Sequence, residues 1–97
     1  MSKTDEVKNL YSKYVMPTYS PTRVLVKGKG TRVWDAEGGV YLDFMSGIAV
    51  TSVGHCHPAV VEAIRAQAGA LMHVSNLFYN ENQGKLAEKL SGLALGG

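Results

Sequence analysis

The feature that most constrains the fold is a change in hydrophobic period along the chain, from helical spacing to alternation and back. Residues 4–15 carry apolar side chains three or four positions apart, which predicts a helix with Thr4 as its N-cap. Pro17 ends that helix. Residues 16–21 form an extended connector, because each proline restricts its own φ and the backbone of the residue before it.

The period after the connector is two. Three short runs, at residues 24–26, 31–34 and 40–44, are rich in β-branched and aromatic side chains and predict three strands. Residues 28–30 and 35–39 contain the glycines and the opening aspartate that are typical of tight turns. Strands joined by such short turns pair in antiparallel fashion, so we expect a three-stranded meander.

Helical spacing returns at Pro58, since proline is favoured at the first helical position. His57 is then expected at or near the cap. The apolar face of this predicted helix consists of Val60, Ile64, Ala68 and Leu71. Residues 47–54, which are small and apolar, are predicted to be a strand or a buried loop.

A non-helical connector is predicted at residues 72–79. A last helix is predicted from Asn80 or Glu81 to about Leu93, with an ion pair between Glu81 and Lys85. The fold class is therefore α+β: an N-terminal helix, a three-stranded antiparallel meander and then two helices.

Composition narrows the class of protein. A chain of 97 residues forms at most one small domain, and its net charge of +2, carried by dispersed lysines and arginines, argues against a nucleic-acid partner. The single cysteine, Cys56, can form no internal disulfide, which fits a reducing compartment. No apolar stretch approaches the roughly 20 residues that span a bilayer, and residues 1–6 do not resemble a signal peptide. We therefore expect a cytoplasmic protein without a membrane partner.

The segment Gly54-His55-Cys56-His57-Pro58 contains three residues that could ligate zinc. A structural zinc site needs four ligands, and the only further histidine or cysteine is His73. A tight turn that leads into a helix is the better interpretation, so no metal site is predicted. A Cys56 nucleophile flanked by histidines is the remaining alternative, but no orienting acid accompanies it.

Other polar residues have modest predicted roles. Residues 27–30 lack the spacing of a phosphate-binding loop and are predicted to be a hairpin turn. Asp35 and Glu37 are expected to be solvated in a turn. Asp43, between Leu42 and Phe44, is expected to be partly buried and then to need a partner.

A series of motifs, taken in order, carries a family resemblance. They are Gly30-x-x-x-Trp34-Asp35-x-x-Gly38, Tyr41-Leu42-Asp43-Phe44, Gly47-Ile48-Ala49-Val50, residues 54–64 (GHCHPAVVEAI), Ser75-Asn76-Leu77-Phe78-Tyr79 and Leu86-Ala87-Glu88-Lys89-Leu90. Over about residues 14–93 their order and spacing resemble the class III, fold-type I aminotransferases. Within that class they are most similar to the acetylornithine and succinylornithine enzymes.

The resemblance implies a pyridoxal-phosphate-dependent transaminase that moves an amino group between N-acetylornithine and 2-oxoglutarate in arginine biosynthesis, and that forms a homodimer. In the family a lysine holds the cofactor, an acid pairs with its ring nitrogen and a glycine-rich turn binds its phosphate. No segment of this chain resembles those three elements. We therefore expect no catalytic, cofactor-binding or metal-binding residue here, no bound cofactor and no activity of the chain alone.

The resemblance also implies a domain assignment. Residues from about 1 to 50 would belong to the small domain, and residues from about 51 to 97 would supply the segment that crosses to the large domain, with its helices. The large cofactor-binding domain would be absent from these 97 residues.

Two substrate-binding residues are implied by the resemblance. Tyr19, before the first strand, matches an aromatic residue that contacts substrate in the ornithine enzyme. Ile48 lies where the ornithine enzyme has a tyrosine and the 4-aminobutyrate enzyme an isoleucine. An apolar residue there is compatible with an N-acylated substrate, which has no charged α-amine.

A non-catalytic alternative stays open at this point. The chain could be a truncated remnant, or a small module that binds another protein. The coding sequence after Gly97 would distinguish the two hypotheses.

Overall fold

The computed structural model describes residues 1–95. The chain divides into two compact units, Met1–Glu62 and Ala63–Gly97. The first unit contains a helix, a three-stranded sheet, a short turn and the start of a second long helix. The second unit contains the rest of that helix and a further helix. None of the helices within residues 1–95 is long and apolar enough to span a membrane.

Helix α1 spans Lys3–Tyr14, and its N-cap is Ser2 rather than the predicted Thr4. The Ser2 hydroxyl accepts the Asp5 N–H at 3.1 Å, while the Asp5 carboxylate accepts both the backbone N–H and the hydroxyl of Ser2. This reciprocal capping box satisfies donors that the first helical turn would otherwise leave unpaired. The sequence carried the signal, since a serine precedes an acidic residue by three positions.

The meander is confirmed: strands β1 (Leu25–Lys29), β2 (Arg32–Asp35) and β3 (Val40–Leu42) form an antiparallel sheet in the order β1-β2-β3. The predicted turn at residues 28–30 is wrong in position. Gly28 and Lys29 still pair with β2, and the chain reverses one residue later, where Gly30 adopts a φ of 57°.

The core of the sheet lies at its middle strand. Val33 pairs with Gly28 on one side and with Tyr41 on the other. At 7% exposure it is the only buried apolar side chain found within residues 1–94. A register shift between Leu25 and Lys27 interrupts the regular pairing near the start of β1.

Helix α3 spans Pro58–Ala70 and begins at the proline, as predicted. The Nδ1 atom of His57 accepts the Ala59 N–H at 3.2 Å, so His57 does contribute to the start of the helix. The predicted strand or buried loop at residues 47–54 is wrong, because α2 (Ser46–Ala49) forms an exposed single turn there.

In the second unit, helix α4 spans Glu81–Leu90, and Asn80 is its N-cap through a 3.1 Å bond from the Gln83 N–H. The predicted connector at residues 72–79 is non-helical, and the Glu81–Lys85 ion pair is present. The helix ends before the predicted Leu93, because a π-helical turn, Ser91–Leu95, comes directly after it.

Candidate functional site

A groove of about 590 Å³ lies between α1 and the connector that leads to β1. Its position is set by the sequence, because the prolines of the connector prevent the chain from continuing α1 and turn it back along that helix. The residues that line the groove are Val7, Lys8, Tyr11, Ser12, Val15, Met16, Pro17, Thr18, Tyr19, Pro21, Thr22, Arg23, Val24 and Leu25.

The lining combines apolar surface with a few polar groups. Tyr11 and Tyr19 supply aromatic rings with hydroxyls, and Lys8 and Arg23 supply positive charge. Within the described residues 1–95, no carboxylate lines the groove. Such a surface can contact an aliphatic amino acid through its apolar stem and can attract its carboxylate.

Arg23 is held beside the groove by a polar network. Its guanidinium lies 4.6 Å from the centre of the Tyr41 ring, and its Nη1 donates to the Tyr41 hydroxyl at 3.1 Å. The Tyr41 hydroxyl donates in turn to Oδ2 of Asp35 at 2.7 Å. This bond, with the Gly39 N–H, lowers the pKa of Asp35, whereas the same bond raises the pKa of Tyr41.

The expectation that Asp35 is simply solvated is therefore wrong. Its Oδ1 accepts the N–H groups of Glu37 at 3.1 Å and of Gly39 at 2.7 Å, so the carboxylate closes the turn between β2 and β3. Glu37 is exposed, and the Thr4 hydroxyl donates to its carboxylate.

The second feature of the first unit is the turn Ser46–Ala49, whose four residues have left-handed φ values of 46°, 59°, 58° and 66°. For L-residues other than glycine this conformation costs roughly 1–2 kcal/mol each, and a β-branched residue such as Ile48 tolerates it poorly. Ile48 is 89% exposed, so burial within this chain does not offset that cost. Strain of this kind tends to persist at functional sites, where the surroundings hold it in place.

Asp43 holds the start of this turn. Its Oδ1 accepts the N–H groups of Met45 at 2.9 Å and of Ser46 at 2.8 Å. Its Oδ2 lies 2.6 Å from Nε2 of His55, and the two side chains are 16% and 23% exposed. The His55 bond first, and then the two backbone N–H groups, lower the pKa of Asp43. The prediction that Asp43 is partly buried and partnered is confirmed.

His55 is fixed to the sheet by its backbone and by its ring. Its N–H donates to the Gly30 carbonyl at 2.8 Å, and its own carbonyl accepts the Gly30 N–H at 3.0 Å. The ring lies so close to β1 that a Cβ on Gly28 would come within 2.7 Å of its Cγ. Only glycine therefore leaves room for His55 at this point of the strand.

The histidine–cysteine segment, residues 54–58, connects the sheet to the start of α3. Within residues 1–95 no group of three or more metal-ligating side chains comes together. Cys56 is exposed, with a left-handed φ of 53°, and it links the anchored His55 to the helix start at His57. The segment acts as the predicted tight turn.

The two predicted substrate residues occupy different places in the first unit. Tyr19 lies on the wall of the groove and is 87% exposed, whereas Ile48 is not among the residues that line it. Sequence reasoning missed the ordering of the Ile48 turn by Asp43 and the placement of Arg23 by Tyr41. Spacing could not reveal either contact, because the first depends on a left-handed backbone and the second on the sheet register.

Most of this chain matches a known protein family. The family model for class III aminotransferases matches residues 14–96 of this chain. The chain belongs to the class III aminotransferases. The match includes both the groove wall at Tyr19 and the turn at Ile48.

Curated relatives and solved structures agree with the family. The chain is 59% identical over 86 residues to the acetylornithine aminotransferase of Caldanaerobacter subterraneus, covering 88% of this chain and 22% of that enzyme. Among solved structures, acetylornithine aminotransferase from Elizabethkingia anophelis superposes with a TM-score of 0.88 at 37% identity, covering 95% of this chain and 23% of that one. Ornithine aminotransferase from Toxoplasma gondii gives a TM-score of 0.87 at 33% identity, covering 96% and 22%.

The share of each relative that this chain covers shows how much of a class III aminotransferase is present. The chain spans about a fifth of the length of the relatives it matches. Its helices and antiparallel sheet match the N-terminal part of those fold-type I structures.

Proposed function

We propose that this chain is the N-terminal portion of a pyridoxal-phosphate-dependent transaminase that moves an amino group between N-acetylornithine and 2-oxoglutarate, a step of arginine biosynthesis. The observation that carries the proposal is the 59% identity to a relative named acetylornithine aminotransferase, across 88% of the chain. The proposal includes a cytoplasmic homodimer. It places about residues 1–50 in the small domain and about residues 51–97 in the segment and helices that cross to the large domain.

The cofactor would be held outside this chain. Among the residues that the structure describes, one lysine, Lys8, lines the groove, and no carboxylate there could pair with the ring nitrogen. Elsewhere, Lys27 stacks on Trp34 and Lys85 pairs with Glu81. The groove residues therefore do not fit pyridoxal phosphate, and we propose that the chain alone is inactive.

The chain's own contribution would be to bind the substrate. Tyr19 presents its hydroxyl on the groove wall, where it could donate a hydrogen bond to the amino donor. Ile48 presents an apolar side chain that offers no acceptor to a free α-amine. Ile48 favours an N-acylated substrate, because burying a charged amine beside it without a hydrogen-bond partner would be costly.

A chimera tests the proposal in the context of a complete enzyme. This chain replaces the matching segment of the Caldanaerobacter enzyme, and kcat/KM is measured for N-acetylornithine and for ornithine with 2-oxoglutarate as acceptor. We expect an active chimera that prefers N-acetylornithine, and an inactive isolated chain. A folded chimera that transaminates neither substrate, beside an active host enzyme, would overturn the proposal.

Variants of the chimera test the two substrate residues. Tyr19→Phe should raise KM for the amino donor, because the substrate would lose the binding free energy of one net hydrogen bond, about 0.5–1.5 kcal/mol. Ile48→Tyr should shift the preference toward ornithine by supplying a hydroxyl near the α-amine. Tyr14→Phe and Val50→Tyr, which introduce the same side chains at other exposed positions, are the controls.

A further inference from the structure

We propose that Asp43 is a positioning residue for substrate selection: it fixes the left-handed turn Ser46–Ala49 and thereby sets where Ile48 meets the substrate. This inference rests on the proposed function, since it takes Ile48 to be a substrate contact. Beyond that function, the inference assigns Asp43 as the residue that orders the turn and His55 as the residue that connects Asp43 to the sheet.

The turn needs an external support. All four of its residues have positive φ, and three of them are not glycine. The side chains of Ile48 and of the neighbouring Val50 are exposed, so packing within the chain does not define the backbone there. The backbone bonds of the turn are local, from the Ile48 N–H to the Met45 carbonyl at 2.9 Å and from the Thr51 N–H to the Ser46 carbonyl at 3.0 Å.

Asp43 supplies that support from one side. A single oxygen, Oδ1, accepts the two successive N–H groups that open the turn, those of Met45 and Ser46. Two short bonds to one atom restrict the backbone of both residues before the left-handed stretch begins. A longer acidic side chain could keep the charge but not this geometry.

His55 connects Asp43 to the rigid part of the molecule. Its Nε2 lies 2.6 Å from the second oxygen of Asp43, while its backbone makes a two-bond bridge with Gly30 at the end of β1. The contact of its ring with Gly28 fixes the ring against the same strand. The sheet therefore holds His55, His55 orients Asp43, and Asp43 orders the turn that carries Ile48.

Asp35 provides a matched control within the same chain. It too accepts two backbone N–H groups with Oδ1 and one side-chain donor with Oδ2, but at the turn between β2 and β3. Replacing Asp35 disturbs a carboxylate-closed turn of the same chemistry that does not contain Ile48, although it also loosens Tyr41 and, through it, Arg23 at the groove. Any effect that arises merely from a loosened turn should therefore appear in both sets of variants.

The experiment compares Asp43→Asn, Asp43→Glu and Asp35→Glu in the chimera. The amide of Asp43→Asn keeps an oxygen at the Oδ1 position, so the preference for N-acetylornithine over ornithine should be largely retained. Asp43→Glu keeps the charge but displaces both oxygens. The preference for N-acetylornithine should then fall roughly tenfold, which is the low end of the discrimination that one methylene group provides in an apolar pocket. Asp35→Glu should lower kcat/KM for both substrates alike, because Arg23 would meet the carboxylate that both share, and should leave the preference between them unchanged.

Hydrogen exchange provides a readout that does not depend on activity. Residues 44–52 of the chimera should exchange faster in Asp43→Glu than in the parent chimera, with Asp43→Asn close to the parent and Asp35→Glu unchanged in this segment. The proposal is overturned if Asp43→Glu leaves both preference and exchange unchanged, or if Asp35→Glu lowers the preference equally. It is also overturned if Asp43→Asn loses the preference while Asp43→Glu keeps it, because charge rather than position would then decide.

The two proposals can fail separately. If Ile48→Tyr leaves the preference unchanged, Ile48 is not a substrate contact and the proposed specificity fails. The exchange of residues 44–52 would still show whether Asp43 orders the turn.

Discussion

Single carboxylates order both of the turns that come after β2 and β3. Asp35 and Asp43 each accept two backbone N–H groups and one side-chain partner, Tyr41 in one case and His55 in the other. Each pKa is lowered because these donors stabilise the charged form of the acid. The sequence predicted that Asp43 would need a partner but could not name it, since His55 is brought near by its bridge to Gly30.

The lowered pKa of Asp43 gives a prediction for pH. Because the folded-state pKa lies below the ordinary value of 3.8, the ionised carboxylate contributes stability above that pH, and the contribution is lost as pH falls through the folded-state pKa. The chimera and its Asp43→Asn variant should therefore differ in thermal midpoint at neutral pH, and the difference should close below pH 3.8. Thermal unfolding over a pH series measures it.

The Asp35→Asn variant should show the same closing difference, because the pKa of Asp35 is lowered as well. A difference for Asp43→Asn that stays constant into acid would contradict the prediction.

At the scale of elements, sequence periodicity located every helix and strand of the first unit except α2. It placed α1, the meander and the start of α3 at Pro58 correctly, because these depend on local spacing and on proline. It misplaced the end of β1, since the pairing of Gly28 and Lys29 with β2 is set by the register across the sheet. It did not predict the left-handed turn at Ile48, because local preference opposes that backbone and the carboxylate that supports it, Asp43, is held by the more distant His55.

The sequence predicted Thr4 as the N-cap of α1, whereas the structure has Ser2 in that role. Ser2→Ala removes a hydroxyl that accepts the Asp5 N–H, whereas Thr4→Ala removes a side chain inside the first turn. Ser2→Ala should destabilise α1 by about 1 kcal/mol, and Thr4→Ala should cost less. Circular dichroism of the isolated chain, recorded as a function of temperature, measures the loss of helix. An equal or larger loss of helix in Thr4→Ala would contradict the assignment of Ser2 and support Thr4 as the N-cap.

At the scale of the whole molecule, the apolar surface is far larger than the chain can bury. Val33 alone is buried among the apolar side chains of residues 1–94, while the exposed ones include Phe44, Leu77, Phe78 and Tyr79. The apolar side chains predicted to form one face of α3, such as Val60 and Ile64, are also exposed. A chain that spans about a fifth of its relatives is expected to leave uncovered the faces that pack on the rest of such an enzyme.

Uncovered apolar surface should make the isolated chain self-associate. Contiguous exposed apolar patches above a few hundred Å² are rare on stable monomers, because removing them from water is favourable by roughly 25 cal/mol for each Å². Sedimentation velocity over a range of concentrations should show a weight-average mass that rises above the 10.4 kDa of one chain. In the chimera the same faces would be covered. Its weight-average mass should therefore stay constant with concentration once its oligomer has formed. A monomeric chain with a cooperative melt that does not depend on concentration would contradict the prediction, because the sheet around Val33 would then suffice to hold these residues folded.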